Sequence, residues 1–157
     1  MKTYQKEQLS KSSITINGNI SINGEIDFNT QLDCSEIIAA VFRAIWNQNL
    51  INEQEEVYAV FADNQNNIIT YKHLFKGGLS QVSFDLRVLF KHALMCNANA
   101  IFIAHNHPSG SLKPSKQDKT LTYEVRVIAE KLGFRFLDHI ILTSDSYFSF
   151  SDGGFLD

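Results

Sequence analysis

The chain is poor in residues that stiffen, cross-link or anchor a fold. It has two prolines and two cysteines in 157 residues. Cys34 and Cys96 form no C-x-x-C pair, which argues against a disulfide framework or a cysteine-built metal site. Both are expected as buried free thiols, Cys34 where a helix should begin and Cys96 near the end of another. No apolar run reaches the roughly 18 residues that a membrane span needs, so no membrane partner is expected. The N-terminal MKTYQKEQLSKSS is polar and lacks the apolar core of a signal peptide, and a cytoplasmic protein is the expectation. Excess positive charge is also missing. The formal charge is -3 with scattered basic residues, an argument against duplex nucleic-acid binding. A local cluster, Lys113, Lys116 and Lys119, occupies one polar loop.

What is present is ordinary for one globular domain: 44% apolar and 20% charged residues. Residues 1–12 are polar and read as loose. ITINGNISINGEIDF then alternates, with Asn17-Gly18 and Asn23-Gly24 as hairpin-turn signals, so residues 1–33 read as an extension with short strands. Ile37, Ile38, Val41, Phe42 and Ile45 recur at helical spacing and predict a helix over 35–48. EEVYAVFAD and NIITYKHLF read as two strands joined by the polar turn Asp63-Asn64-Gln65-Asn66. SFDLRVLFKHALMCNA predicts a helix with Leu86, Phe90, Ala93 and Leu94 on one side. AIFIAH is a short, continuously apolar run that suits a fully buried strand. LTYEVRVIAEKLG predicts a helix with the stripe Leu121, Val125, Ile128 and Leu132, ended by Gly133. FRFLDHIILTS is a further strand, and YFSFSDGG a last strand or a tail. The order of elements implies an α/β fold, a three-layer mixed sheet with flanking helices.

Both prolines fall in IAHNHPSGSLKPSKQD, together with two of the five histidines. In extended backbone, positions i and i+2 share a face, so His105 and His107 leave the strand end together while Asn106 points away. Asp118, at the start of the next helix, can return a carboxylate to the same point. Two histidines and one aspartate, with a position left for water, make a catalytic rather than a structural zinc pattern. H-x-H by itself is a weak signal. Ser115 and Asp118, as S-x-x-D, equally form a helix cap, and a cap would also fix where Asp118 points.

The joint string, H-x-H followed by seven residues and S-x-x-D, resembles the JAMM motif of MPN-domain zinc metalloproteases. AHNHPSGSLKPSKQD with LDHIILT downstream is similar to the C-terminal domain of bacterial RadC-type proteins. EEVYAVFADNQNNII, RVLFKHALMCNANAIFIAHNHPSG and SDSYFSFSDGG extend the resemblance over residues 34–154. It implies a RadC-type JAB/MPN domain at 34–157 with a cytidine-deaminase-like architecture. Residues 1–33 carry no such likeness, and no DNA-binding helix-hairpin region precedes the domain in this sequence.

Carried over residue by residue, the family pattern implies Zn²⁺ held by His105, His107 and Asp118. Ser115 would help to stabilise an oxyanion, and Glu55, with Glu56 adjacent, would be the general base. The implied activity is hydrolysis of an amide or isopeptide bond in a peptide or protein by a zinc-activated water. His139 reads as a core histidine satisfied by a backbone carbonyl, with a supporting role behind a ligand as the alternative, and Asp138 could take that role instead. His73 and His92 read as surface residues. Gly110 is expected at positive φ, and Arg87, a basic position of the family pattern, in a helix-surface salt bridge.

Three other readings compete with this one. An HNH nuclease spreads its motif over a hairpin and helix, which three consecutive letters do not. A zinc nucleobase deaminase needs H-x-E and P-C-x-x-C, and neither occurs. The third is a DNA-repair-associated or protein-interaction module without peptidase activity, with the DNA association inherited from the family's label.

Overall fold

The computed structural model describes residues 13–16, 20–23, 28, 30–77 and 84–156. The loose reading of 1–12 and the Asn-Gly turns at 17–19 and 24 lie outside the described residues. Strands β1 (Ser13–Ile16) and β2 (Ile20–Asn23) pair antiparallel. Helix α1 (Ser35–Ile45) is followed by strands β3 (Glu56–Ala62) and β4 (Ile68–Lys76), helix α2 (Leu86–Met95) and strand β5 (Ala100–Asn106). Helix α3 (Lys116–Leu132), strand β6 (Arg135–Leu142) and strand β7 (Tyr147–Ser149) complete the chain. The order is that read from the sequence.

Five strands form one mixed sheet in the order β4-β3-β5-β6-β7. β5 and β6 run parallel and every other neighbouring pair antiparallel. Tyr58, Val60, Phe102, Ala104, Ile140 and Leu142 pack with α1 residues Ile38, Val41, Phe42 and Ile45 on one face. Ala59, Phe61, Ile101 and Ile103 pack with Leu89, Phe90 and Ala93 of α2 and Val125 and Ala129 of α3 on the other. The molecule is thus a three-layer α/β structure, as the alternation of elements implied. β3 and β5 are buried along their whole length, which explains their unbroken apolar runs. Phe42, Phe61 and Phe102 are fully buried, each contributing about 1.5–3 kcal/mol of transfer free energy.

The helix ends follow local chemistry. α1 stops at Trp46, whose backbone turns extended, and Gln48 Nε2 donates to the freed Arg43 carbonyl at 2.8 Å. The helix is therefore shorter than the predicted 35–48. Asp85 caps α2 by accepting the Arg87 N–H at 2.9 Å and also pairs with the Arg87 guanidinium at 2.6 Å. α3 begins at Lys116, capped by Ser115 as the S-x-x-D spacing allowed and ahead of the periodic segment from Leu121, and it ends at Gly133 with φ +80°. Only a residue without Cβ takes that turn freely.

Three expectations change. Cys34 and Cys96 are free thiols, but Cys34 is exposed and Cys96 half-buried. Both are cap residues: Cys34 lies outside the buried helical stripe, while Cys96 still packs, half-buried, against the α2–α3 core. Leu94 is 59% exposed, while Leu89 is fully buried, because the inward face of α2 runs through 86, 89, 90 and 93. Leu132 is 48% exposed and α3 buries Thr122, Val125 and Ala129, a stripe rotated by one residue from the predicted one. Among the described residues, no helix is long and apolar enough to cross a membrane.

Candidate metal centre

β5 carries His105, and His107 follows just past its last residue. His105 pairs with Val57 of β3, and Val57 alternates with Ala59 and Phe61, which face α2 and α3. His105 therefore projects toward the two-helix layer, and His107, two positions on, follows it. Asn106 turns the opposite way, as alternation requires. It donates to the carbonyls of Ile51 at 2.7 Å and Gln54 at 2.8 Å and accepts the Glu56 N–H at 2.7 Å. It thereby fastens the loop before β3.

α3 brings the third residue. Ser115 Oγ accepts the Asp118 N–H at 3.0 Å, and Asp118 Oδ2 accepts the Ser115 N–H at 2.7 Å. The S-x-x-D spacing is a reciprocal capping box, and its second half aims the carboxylate back toward β5. Between β5 and α3, Pro108 takes the second position of a turn in which the Gly110 N–H donates to the His107 carbonyl at 3.0 Å, and Gly110 has φ +78°, as expected.

The three side chains converge. His105 Nε2 lies 2.9 Å from His107 Nε2 and 3.1 Å from Asp118 Oδ1, and His107 Nε2 lies 3.5 Å from Asp118 Oδ2. Two ligands each about 2.05 Å from a tetrahedral zinc ion stand about 3.3 Å apart, so one small cation fits. The donor chemistry agrees. His107 Nδ1 is 2.6 Å from the Ser111 carbonyl, which can only accept, so the neutral ring is protonated there and bare at Nε2. Among the described residues, this is the cluster of histidine, cysteine or carboxylate groups with ligand atoms within 4.8 Å of one another.

Electrostatics reinforces the site. Burial, the largest influence, pushes the Asp118 carboxyl upward. The close approach of the His105 and His107 rings, which donate to it when protonated, the positive charge His105 then carries and the Ser115 amide outweigh it and hold the group far below the usual carboxylate range. Burial likewise lowers His107, but the Asp118 hydrogen bond, the Ser111 carbonyl and the charges of Asp118 and Glu55 raise it on balance. His105 is fully buried and Asp118 nearly so, while the His107 side chain keeps 12% exposure. The centre thus meets solvent on the His107 side.

The two glutamates part company. Glu55 lies two residues before Val57, on the face of His105 and His107 by alternation, and its charge reaches His107. Glu56 faces the other layer, 2% exposed, with His73 Nε2 3.4 Å away. His73 is the exposed partner of that buried carboxylate and stacks on Tyr58 at 4.6 Å.

His139 corrects the sequence reading. It bonds side chains, not a backbone carbonyl: Nε2 is 2.7 Å from His105 Nδ1, and Nδ1 is 2.7 Å from Thr122 Oγ1. The cause is a one-residue shift in β6. Ile101 pairs with Phe136 but Phe102 with Asp138, so Leu137 is an extra residue and His139 pairs with Ile103 on the α2–α3 face. Burial pushes the His139 pKa well below the ordinary value, with the charge of His105 next in effect. Asp138 lies away from the centre and accepts from Ser149 Oγ at 2.6 Å. Thr122 was missed altogether. No local pattern marks it, because its role depends on packing between α3 and β6.

A mixed sheet between helical layers, with a His-x-His strand end facing a capped aspartate, defines a JAB-type α/β domain with a possible metal site. Comparison with known proteins agrees. A family model described as "RadC-like JAB domain" matches residues 32–155, and the chain belongs to that family. A UPF0758 protein of Actinobacillus pleuropneumoniae serotype 5b is 43% identical over 107 residues, 68% of this chain and 49% of that protein. A UPF0758 protein of Porphyromonas gingivalis is 44% identical over 104 residues, 66% of this chain and 46% of the relative. One from Lactococcus lactis is 41% identical over 100 residues, 64% and 44% of the two chains. The chain spans about half the length of these curated relatives, whose names state no activity.

Proposed function

We propose that the domain is a zinc-dependent hydrolase of the JAMM metallopeptidase type, cleaving an amide or isopeptide bond in a peptide or protein substrate. The observation that carries this reading is the convergence of His105, His107 and Asp118, with Glu55 on the same face. A zinc ion held by those three residues would supply a water acidified to a pKa of about 7 and a Lewis acid for the carbonyl. Glu55 takes the proton of the attacking water and returns it to the leaving amine. The Ser115 oxygen already accepts the Asp118 amide, and its hydroxyl proton remains available to the developing oxyanion. One such donor is worth about 3 kcal/mol of barrier. Elemental analysis of protein purified without chelator, paired with cleavage of a peptide library, tests the reading. The wild type should carry about one zinc, Asp118→Ala should lose it, and Glu55→Ala should keep it while losing cleavage. Equal cleavage by Glu55→Ala and wild type removes Glu55 as the base. Zinc well below one per wild-type chain removes the hydrolase.

A further inference from the structure

Behind the metal position, contacts run inward through the fold. His105 Nδ1 meets His139 Nε2, and His139 Nδ1 meets Thr122 Oγ1. Thr122 Oγ1 in turn lies 2.7 Å from the main-chain oxygen of Asp118. His105 and His139 are fully buried and Thr122 is 2% exposed. One run of hydrogen bonds thus begins on a ligand from β5 and ends on the backbone of the ligand from α3.

The direction of this run is set at its far end. A carbonyl only accepts, so the Thr122 hydroxyl donates to Asp118. Its single proton is then committed, and toward His139 the hydroxyl must accept from Nδ1–H. A neutral imidazole carries one proton, so His139 Nε2 is an acceptor and receives the Nδ1–H of His105. Neutral His105 is then left with its lone pair on Nε2, the atom that faces His107 and Asp118. Phe150 stacks on His139 with centroids 4.5 Å apart and planes 9° from parallel, which keeps the ring from rotating out of line.

We propose that His139 and Thr122 are positioning residues of the metal centre, holding His105 in the tautomer that presents a bare Nε2 to the cation. The inference rests on the preceding reading only in needing a cation, not in needing peptidase activity. The same run links the His105 ring to the first turn of α3, so the ligands of strand and helix are oriented together.

Thr122→Val is the cleanest probe, because it keeps shape and removes the hydroxyl. It frees His139 to adopt the opposite tautomer, whose Nε2–H would place the His105 proton on the ligating nitrogen. Zn²⁺ affinity by chelator competition should fall about 10–100-fold, and the visible bands of the Co²⁺-loaded protein should change. Thr122→Ser should restore both. Ring-nitrogen NMR of the wild type should find His139 protonated at Nδ1 and bare at Nε2, with or without metal. Wild-type affinity and cobalt bands in Thr122→Val, or a His139 proton on Nε2, would overturn the inference. A wild type that takes up no divalent cation would sink this inference together with the hydrolase reading, whereas a wild type that binds the cation but cleaves no peptide would sink the hydrolase reading alone.

Discussion

Asn106 stands between His105 and His107 and serves the layer they do not face. Its amide satisfies two carbonyls and one N–H of the loop before β3. Asn106→Ala strands all three without touching the metal donors. Each buried unsatisfied group costs about 1–3 kcal/mol, so urea unfolding should show a loss of about 3 kcal/mol or more, with zinc still bound by the folded fraction. Asp138 makes a different prediction. Burial is the main cause of its raised pKa, opposed by hydrogen bonds from Ser149 and the Ser151 and His139 amides. A carboxyl raised in the fold contributes stability that is full below its unfolded value of about 3.9 and is lost as pH rises through the folded value. Asp138→Asn should therefore gain on the wild type as pH climbs from about 4 toward neutrality, read from urea midpoints across that range. A constant difference would mean that the carboxyl titrates alike in both states. At this scale His105, His107 and Asp118 were legible, because two-residue alternation and a cap motif are local. The choice between Glu55 and Glu56 was not local. Alternation separates them, but only the pairing of Val57 with His105 tells which one faces the histidines.

The elements repeat the same division. α3 announces its start through Ser115 and its end through Gly133, and both caps are present. The start does two jobs, since the capping box that satisfies the helix also aims Asp118. Asn ranks with Ser as an N-cap. Ser115→Asn should therefore hold the melting temperature close to wild type, while peptide cleavage falls by about 10²–10³-fold for want of the hydroxyl. Ser115→Ala should lose about 1 kcal/mol as well. Cleavage undiminished in Ser115→Asn would leave the serine a cap and nothing more. The burial of Leu89 in place of Leu94 and the exposure of Leu132 were not legible. A helical stripe in sequence is wide enough to admit rotations of one residue, and the sheet beneath selects among them. α1 is fixed from outside its own sequence as well: Arg43 Nη1 and Nη2 reach the carbonyls of Thr143, Ser144 and Ser146 at 2.8–2.9 Å. That clamp joins the first helix to the β6–β7 turn.

In the whole molecule, the candidate metal position joins the central strand of the sheet to a helix of the layer packed on it. His105 from β5, His107 just beyond it and Asp118 from α3 are the candidate ligands, and a seven-residue spacer separates His107 from Ser115. A cation that binds only this assembled arrangement stabilises it by mass action, about 2.7 kcal/mol at a hundred times its dissociation constant. At about 2–4 °C per kcal/mol for a domain of this size, zinc should raise the melting temperature by roughly 5–10 °C. EDTA should reverse the gain and Asp118→Ala should show none. Calorimetry with and without metal measures it, and identical melts would mean that the three side chains hold no ion in the folded state.

The extra residue at Leu137 puts the two halves of one strand out of phase. The outer half, up to Phe136, keeps the beat of the apolar core, and the inner half from Asp138 onward keeps another. Were Leu137 to take a regular place in the ladder opposite Phe102, Asp138 would fall opposite Ile103 and His139 would pass to the far side of the sheet. The imidazole behind His105 would be gone and an acid would stand in its place, with every letter of the sequence unchanged. A chain with the whole motif intact thus owes the support behind it to one unpaired leucine outside that motif, a dependence invisible to a search for the motif alone.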